Sequence, residues 1–113
     1  MKLQISEVEQ GLRLIILNGQ LDGTGVYNVE VDFIRTCVEG NHNVLVDLSN
    51  VSYISSIGIP MLVNKARSVM ARGGKLGLLN PQRNVLDVLE LVGVSMMLPI
   101  YYDLKTATAG MLA

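Results

Sequence analysis

Two adjacent serines, Ser55 and Ser56, are the side chains of this chain best placed for regulated chemistry. They follow the apolar run at residues 44–48, which predicts a buried strand, and they precede residues 61–72, whose apolar spacing predicts a helix. A helix N-terminus carries unpaired N–H groups and a partial positive charge, so it favours a nearby anion. A phosphate on either hydroxyl would lie close to such a site. The sequence therefore predicts a phosphorylation switch at a strand–helix junction.

Apolar periodicity predicts the elements that must position these serines, in the order ββαβαβαβα. The predicted strands cover residues 3–8, 12–17, 44–48, 75–79 and 97–102. Four helices are predicted. The first has its N-cap at Thr24 and stops at Gly40, and the second covers residues 61–72. The third runs from Pro81 to Gly93, and the fourth runs from a cap at Asp103 through Met111. Strand–helix–strand units imply parallel neighbours. We expect an α/β fold in one domain spanning residues 1–113, with a mixed, mostly parallel sheet, an N-terminal antiparallel hairpin, and helices packed on the sheet.

Composition and charge argue against several classes of protein function. Half of the 113 residues are hydrophobic and 17% are charged, which argues against disorder. Nine basic and ten acidic residues leave a net charge of −1, so nothing in the charge balance favours nucleic acid. The N-terminus has no apolar signal core, and no apolar run approaches the ~20 residues of a membrane span. We expect a soluble, cytoplasmic protein that binds neither nucleic acid nor membrane.

Metal and catalytic chemistry find little support in the sequence. Cys37 is the single cysteine and His42 the single histidine, so we expect neither a disulfide within the chain nor a zinc site. Cys37 has the helical spacing of a small core residue, and His42 lies in a turn-like stretch. Asp47 has no second carboxylate in register, and the glycines do not form a phosphate-binding loop. We expect a protein without cofactor or metal that is not an enzyme.

Three segments together carry a recognisable pattern. Residues 17–22 read L-N-G-Q-L-D, and residues 46–59 read V-D-L-S-N-V-S-Y-I-S-S-I-G-I. The C-terminal half holds R-G-G-K-L at residues 72–76, Asn80-Pro81, and L-E-L-V-G-V at residues 89–94. In this order the segments resemble the STAS domain of the anti-sigma-factor antagonist (anti-anti-sigma factor) family, whose central signature is D-L-S-x-V-x-x-[ILM]-D-S-[ST]-G-L. The resemblance covers nearly the whole chain.

The resemblance implies a binding module of a partner-switching circuit in transcription regulation. Such proteins bind an anti-sigma factor that is also a serine kinase. The kinase phosphorylates the serine after the signature aspartate, which breaks the complex, and a PP2C-type phosphatase restores it. On this sequence the acceptor falls on Ser56, and Ser55 is the alternative acceptor. The residues that the resemblance places in partner binding are Asp22, Gly23, Ser55, Ile57, Gly58 and Ile59.

The chain also departs from the family pattern. Ser55 replaces the aspartate, Ile57 replaces Ser or Thr, and Pro60 replaces a common glycine. A constitutive STAS scaffold module, in a stress-signalling assembly or a lipid-transport ATPase, is the alternative function.

The individual residues also have structural interpretations beside the functional ones. The serine pair can serve as a helix cap, and Asp22 can brace the turn at Gly23. Gly58 can permit close packing, and Ile57 can be either an interface anchor or a buried staple.

Overall fold

A computed structural model describes residues 1–39 and 43–113 of the chain. The strands are β1 (Lys2–Glu9), β2 (Leu12–Leu21), β3 (Asn43–Ile54), β4 (Leu76–Leu79) and β5 (Ile100–Tyr101). The helices are α1 (Gly23–Val38), α2 (Gly58–Ala71), α3 (Arg83–Leu91) and α4 (Leu104–Met111), with a 3-10 helix at Val94–Met96. The predicted order of strands and α-helices is confirmed. The predicted helix stop at Gly40 and the predicted loop position of His42 lie outside the described residues.

The five strands form one sheet in the order β1-β2-β3-β4-β5. β1 pairs with β2 in an antiparallel hairpin, and the other three pairs are parallel, as the sequence predicts. Gly11 lies in the turn of the hairpin with φ of 90°, a backbone conformation that glycine adopts at no steric cost. Within the described ranges, no helix is both long and apolar enough to cross a lipid bilayer.

Alternating residues of the central strands face two apolar layers. Helices α1, α2 and α3 cover one face of the sheet, and α4 covers the other. The first layer includes Ile15, Leu17, Val46 and Leu78 from the sheet and Phe33, Leu62, Val85 and Leu89 from the helices. The second layer is built from Leu12, Leu14, Leu45, Leu79, Ala107 and Met111. The two-faced burial explains why the central strands are apolar almost throughout.

Four predicted boundaries near the serines are wrong. β2 and β3 extend beyond their predicted ends because they continue to pair with each other as far as Leu21 and Ile54. The N-cap of α1 is Asp22 and not Thr24, since the Asp22 carboxylate accepts the N–H of Gly25 at 2.8 Å. α2 begins at Gly58, three residues earlier than predicted.

The C-terminal third differs most from the sequence prediction. The strand predicted at residues 97–102 is reduced to Ile100–Tyr101, because backbone N–H groups before it turn back into the 3-10 helix. Met97 and Leu98, for example, both donate to the carbonyl of Val94. The predicted cap at Asp103 is confirmed, and hydrogen bonds from Thr106 hold the pKa of this carboxyl below its usual value.

Two side chains at the start of α3, one of them on its N-cap residue, brace the end of β3 that projects beyond β4. The pairing of β3 with β4 ends at Asp47 and Leu79, whereas β3 continues to Ile54. Gln82 Nε2 donates to the carbonyl of Ser49 at 2.9 Å, and Asn84 Nδ2 donates to the carbonyl of Ser52 at 2.7 Å. These bonds hold the strand that leads directly into the serine pair.

Cys37 is buried between α1 and α2, as expected of a core residue. Burial raises the pKa of its thiol from 9.0 to about 12, although the charges of Lys65 and Arg72 act in the opposite direction. The Arg72 guanidinium donates to the carbonyls of Cys37 and Val38 at the end of α1. A cation at a helix C-terminus is favourable, so Arg72 stabilises α1 from the neighbouring helix.

We expect the native Cys37 thiol to resist alkylation by iodoacetamide near neutral pH and to react readily in urea. Between pH 9.0 and about 12 only the unfolded thiol ionises, so stability should fall across that range. A Cys37→Ala variant should lack this part of the pH dependence. Mass spectrometry and denaturation at several pH values measure both effects. Equal alkylation rates in native and unfolded protein would contradict the expectation.

Candidate functional site

Two turns at the carboxyl ends of β2 and β3 meet at one edge of the sheet. Leu21 pairs with Ile54, and the N–H of Ser55 donates to the Leu21 carbonyl at 3.1 Å. The turn after Leu21 carries Asp22 and Gly23, which lead into α1. The turn after Ile54 carries the serine pair, which leads into α2. The structure therefore brings together the two segments that the sequence predicts for the site.

Gly58 is buried against the end of β2 at the start of α2. A Cβ at this position would lie 2.6 Å from the Leu21 carbonyl oxygen and 2.8 Å from Leu21 Cγ. The close packing considered for Gly58 is therefore present. Gly25 has a similar role that the sequence analysis missed, because its Cβ would lie 1.9 Å from the Gln20 carbonyl oxygen. The signal available for Gly25 was its position three residues after an aspartate that can cap a helix.

The two serines have different surroundings. Ser55 is half-buried, and its hydroxyl donates to the Leu21 carbonyl at 3.5 Å and accepts the N–H of Ile57 at 3.3 Å. Ser56 is exposed, and within the described part of the chain its hydroxyl forms no hydrogen bond. The N-cap residue of α2 is Ile57, which cannot cap through its side chain. The predicted serine cap is thus reduced to one bond, in which the Ser55 hydroxyl accepts the N–H of Ile57, the residue before the helix.

A groove of about 490 Å³ runs between α1 and α2 beside Ser56. Its lining residues are Val26, Glu30, Ser56, Ile57, Pro60, Met61, Asn64 and Lys65. Glu30 and Lys65 place opposite charges on the two walls of the groove, and four of the lining residues are apolar. The surface beside Ser56 can therefore contact both charged and apolar groups of a bound partner.

Ile57 and Ile59 face different environments. Ile57 is 57% exposed, whereas Ile59 is partly buried against the main core. Ile57 also covers Gly23, since a Cβ on that glycine would lie 3.6 Å from Ile57 Cδ1. Pro60 is the third residue of α2, where its missing N–H costs no intrahelical bond. Ile57 therefore presents an apolar side chain to solvent beside Ser56.

The two aspartates near the site have structural partners. Asp22 caps α1, and Asp47 accepts the N–H of Ser49 at 2.9 Å. Among the described residues, no group of three or more His, Cys, Asp and Glu side chains could hold a metal ion. The site therefore combines an exposed hydroxyl, a groove and an apolar contact residue.

The family model for the STAS domain matches residues 5–107, which include every residue of this site. This chain belongs to the STAS domain family. A relative from Bordetella bronchiseptica, the candidate anti-sigma factor antagonist BtrV, is 25% identical over 109 residues. That alignment covers 96% of this chain and 93% of the relative.

Solved STAS structures share the fold at lower identity. The unphosphorylated anti-sigma factor antagonist SpoIIAA is 21% identical with a TM-score of 0.80, over 95% of this chain and 93% of that one. Phosphorylated SpoIIAA from Bacillus is 20% identical with a TM-score of 0.73, over 96% and 97% of the two chains. An anti-sigma factor antagonist from Mycobacterium paratuberculosis is 16% identical with a TM-score of 0.89, over 99% and 94%.

Alanine at the two glycines that begin α1 and α2 should change the stability of this STAS domain by different amounts. Gly58→Ala should lower the free energy of unfolding by about 1–3 kcal/mol, because the new methyl group meets backbone and side chain of Leu21. Gly23→Ala is the matched control, since its methyl group makes an ordinary contact and should change stability by less than about 0.5 kcal/mol. Urea denaturation measures both values. Equal stabilities of the two variants would contradict the close contact at Gly58.

Proposed function

We propose that this STAS domain is an anti-sigma-factor antagonist whose binding to an anti-sigma serine kinase is controlled by phosphorylation of Ser56. The observation that carries the proposal is the contrast between the two serines at the β3–α2 turn. Ser56 is exposed and its hydroxyl is accessible, whereas the Ser55 hydroxyl bonds the Leu21 carbonyl and the Ile57 N–H. The match of the signature segment and the names of BtrV and SpoIIAA support the same function.

Phosphorylation would add a charge of about −1.5 to −2 at a position that tolerates it in the free protein. Ser56 lies two residues before the first residue of α2, where the positive end of the helix dipole stabilises a negative charge. The groove beside it also contains Lys65. The free domain should therefore keep its fold when Ser56 is modified.

The same charge would oppose a complex that covers this turn. Contact with a partner removes water from the phosphate oxygens, and a desolvated charge without a partner costs several kcal/mol. A loss of ~2.7 kcal/mol already weakens binding a hundredfold. A PP2C-type phosphatase that removes the phosphate would restore binding.

Residues around Ser56 would contribute to partner binding in different ways. Ile57 is the apolar contact, and Asp22 and Gly23 form the adjoining turn at the same edge of the sheet. Gly58 is buried and Ile59 is partly buried, so these residues would position the contact surface from its core side. The domain would act in the cytoplasm as a binding module and not as an enzyme.

Incubation with an anti-sigma serine kinase of the same organism and ATP should add one phosphoryl group, on Ser56. Ser55→Ala should still accept it, and Ser56→Ala should not. Intact mass and peptide mapping identify the acceptor. Modification of Ser55 alone would refute the assignment, and an unmodified chain that still binds its partner would favour the constitutive scaffold.

Two substitutions at Ser56 separate charge from loss of the hydroxyl. Ser56→Asp should weaken binding to the anti-sigma serine kinase about a hundredfold, while Ser56→Ala should bind it like the unphosphorylated wild type. Both variants should unfold within about 0.5 kcal/mol of the wild type because the side chain is exposed. Calorimetry gives both affinities. Equal affinities for the Asp and Ala variants would contradict electrostatic control.

The exposed Ile57 side chain should contribute to affinity. Ile57→Ala should raise the Kd about fivefold or more, corresponding to ~1 kcal/mol, with little effect on unfolding. Ile5→Ala is the matched control, since Ile5 is 49% exposed on β1, away from the serine turn. Calorimetry and thermal denaturation separate the two effects. A stability loss of ~2 kcal/mol with unchanged Kd would place Ile57 in the core instead.

A further inference from the structure

The outward face of α1 carries a second apolar stripe that the fold does not use. Tyr27, Val31 and Val38 are 84%, 66% and 46% exposed, and Ile34 between them is half-buried. The buried residues of the same helix, Val29 and Phe33 among them, lie on its opposite side. Four apolar side chains in line on a helix of 16 residues form a surface typical of a contact with another protein.

The spacing of the stripe is that of a coiled-coil seam. Tyr27, Val31, Ile34 and Val38 follow one another at intervals of four, three and four residues. This is the alternation of d and a positions in a heptad, with Val31 and Val38 at a and with Tyr27 and Ile34 at d. In parallel two-stranded coiled coils β-branched residues at a are combined with Leu at d, and this seam has the β-branched a residues but Tyr27 and Ile34 at d. The stripe is therefore suited to one further helix of the same kind.

The charges that flank the stripe indicate both the partner and its direction. In the same heptad Glu30 occupies a g position and Arg35 occupies the following e position. In a parallel pair a g residue faces the e residue five positions later on the other helix. Glu30 of each copy would then face Arg35 of the second copy, twice by symmetry. An antiparallel pair would instead bring like charges together, which disfavours that arrangement.

We propose that this protein forms a two-fold symmetric homodimer in which the α1 helices of two copies pack in parallel through Tyr27, Val31, Ile34 and Val38. Because packing on the sheet already forms α1, the pair avoids the nucleation cost of an isolated helix. The contact extends over about three helical turns, so it buries less than the ~1,600 Å² of a standard interface. The dimer is consequently weak and depends on concentration.

The dimer surface is separate from the Ser56 site except at its border. Val26 and Glu30 line the groove toward α2, whereas Tyr27 and Val31 point away from that groove. Glu30 lies between the two surfaces. The proposed dimer therefore leaves the serine turn accessible and does not depend on the function proposed above.

Sedimentation velocity over about 1 μM to 1 mM tests the proposal, and the wild type should shift from one to two chains across that range. Val31→Glu should raise the dimer dissociation constant at least about tenfold by placing two carboxylates in the seam. Leu91→Glu is the matched control, because Leu91 is 86% exposed on α3, and it should dimerise like the wild type. A wild type that stays monomeric at 1 mM, or a dimer lost in Leu91→Glu and kept in Val31→Glu, would overturn the proposal.

Charge reversal tests the parallel direction. Glu30→Arg and Arg35→Glu should each weaken the dimer about tenfold at low salt, and the double variant should recover to within about threefold of the wild type. In the monomer Arg35 forms an exposed ion pair with Asp32 at 3.7 Å, and exposed pairs contribute little to stability, so thermal denaturation should change little in all three. A double variant no stronger than the single ones would overturn the parallel pairing.

Discussion

The approach of α2 to the end of β2 determines the position of the serine turn. Gly58 lies so close to the Leu21 carbonyl that no side chain fits between them. The same carbonyl accepts the N–H and the hydroxyl of Ser55. One backbone oxygen thereby fixes the start of the helix, the orientation of the first serine and, through both, the exposure of the second. The Ser55 hydroxyl is engaged, whereas the Ser56 hydroxyl, which we propose to be the regulated one, is exposed.

The sheet topology explains why a signature spread over distant segments can form one surface. Parallel pairing of β2 and β3 places their carboxyl ends side by side, so the turns before α1 and α2 adjoin. The segment at Asp22 and the segment at Ser56 are far apart in sequence and reach the same edge. Both helices begin there, which directs backbone N–H groups toward that edge.

Local pattern predicted the element order, the hairpin and the position of the serines, because each depends on neighbouring residues. The details that depend on distant contacts were not predictable. Thr24 and Asp22 are both good capping residues, and the end of β2 decides between them. Residues 97–99 have a strand composition, yet the backbone before β5 turns into the 3-10 helix.

α1 illustrates the same limit for side chains. The spacing of Cys37 predicts the buried side of this helix, but helical periodicity did not indicate the second apolar stripe on its opposite side. The structure buries Val29 and Phe33 and leaves Tyr27 and Val31 in solvent. The exposed state of Ser56 and Ile57 likewise depends on how α2 is seated against β2.

The two side-chain amides at the start of α3 that donate hydrogen bonds to β3 have a consequence for how the domain behaves at high concentration. A strand that extends beyond its neighbour leaves a row of unpaired backbone N–H and C=O groups. A strand of another molecule can pair with such a row, which is how edge-to-edge aggregation begins. Gln82 and Asn84 occupy the carbonyls of Ser49 and Ser52 on this segment. A side chain can satisfy a carbonyl without extending the ladder, so the sheet ends there. The projecting strand can thus present its turn to a partner while remaining closed to β-strand addition.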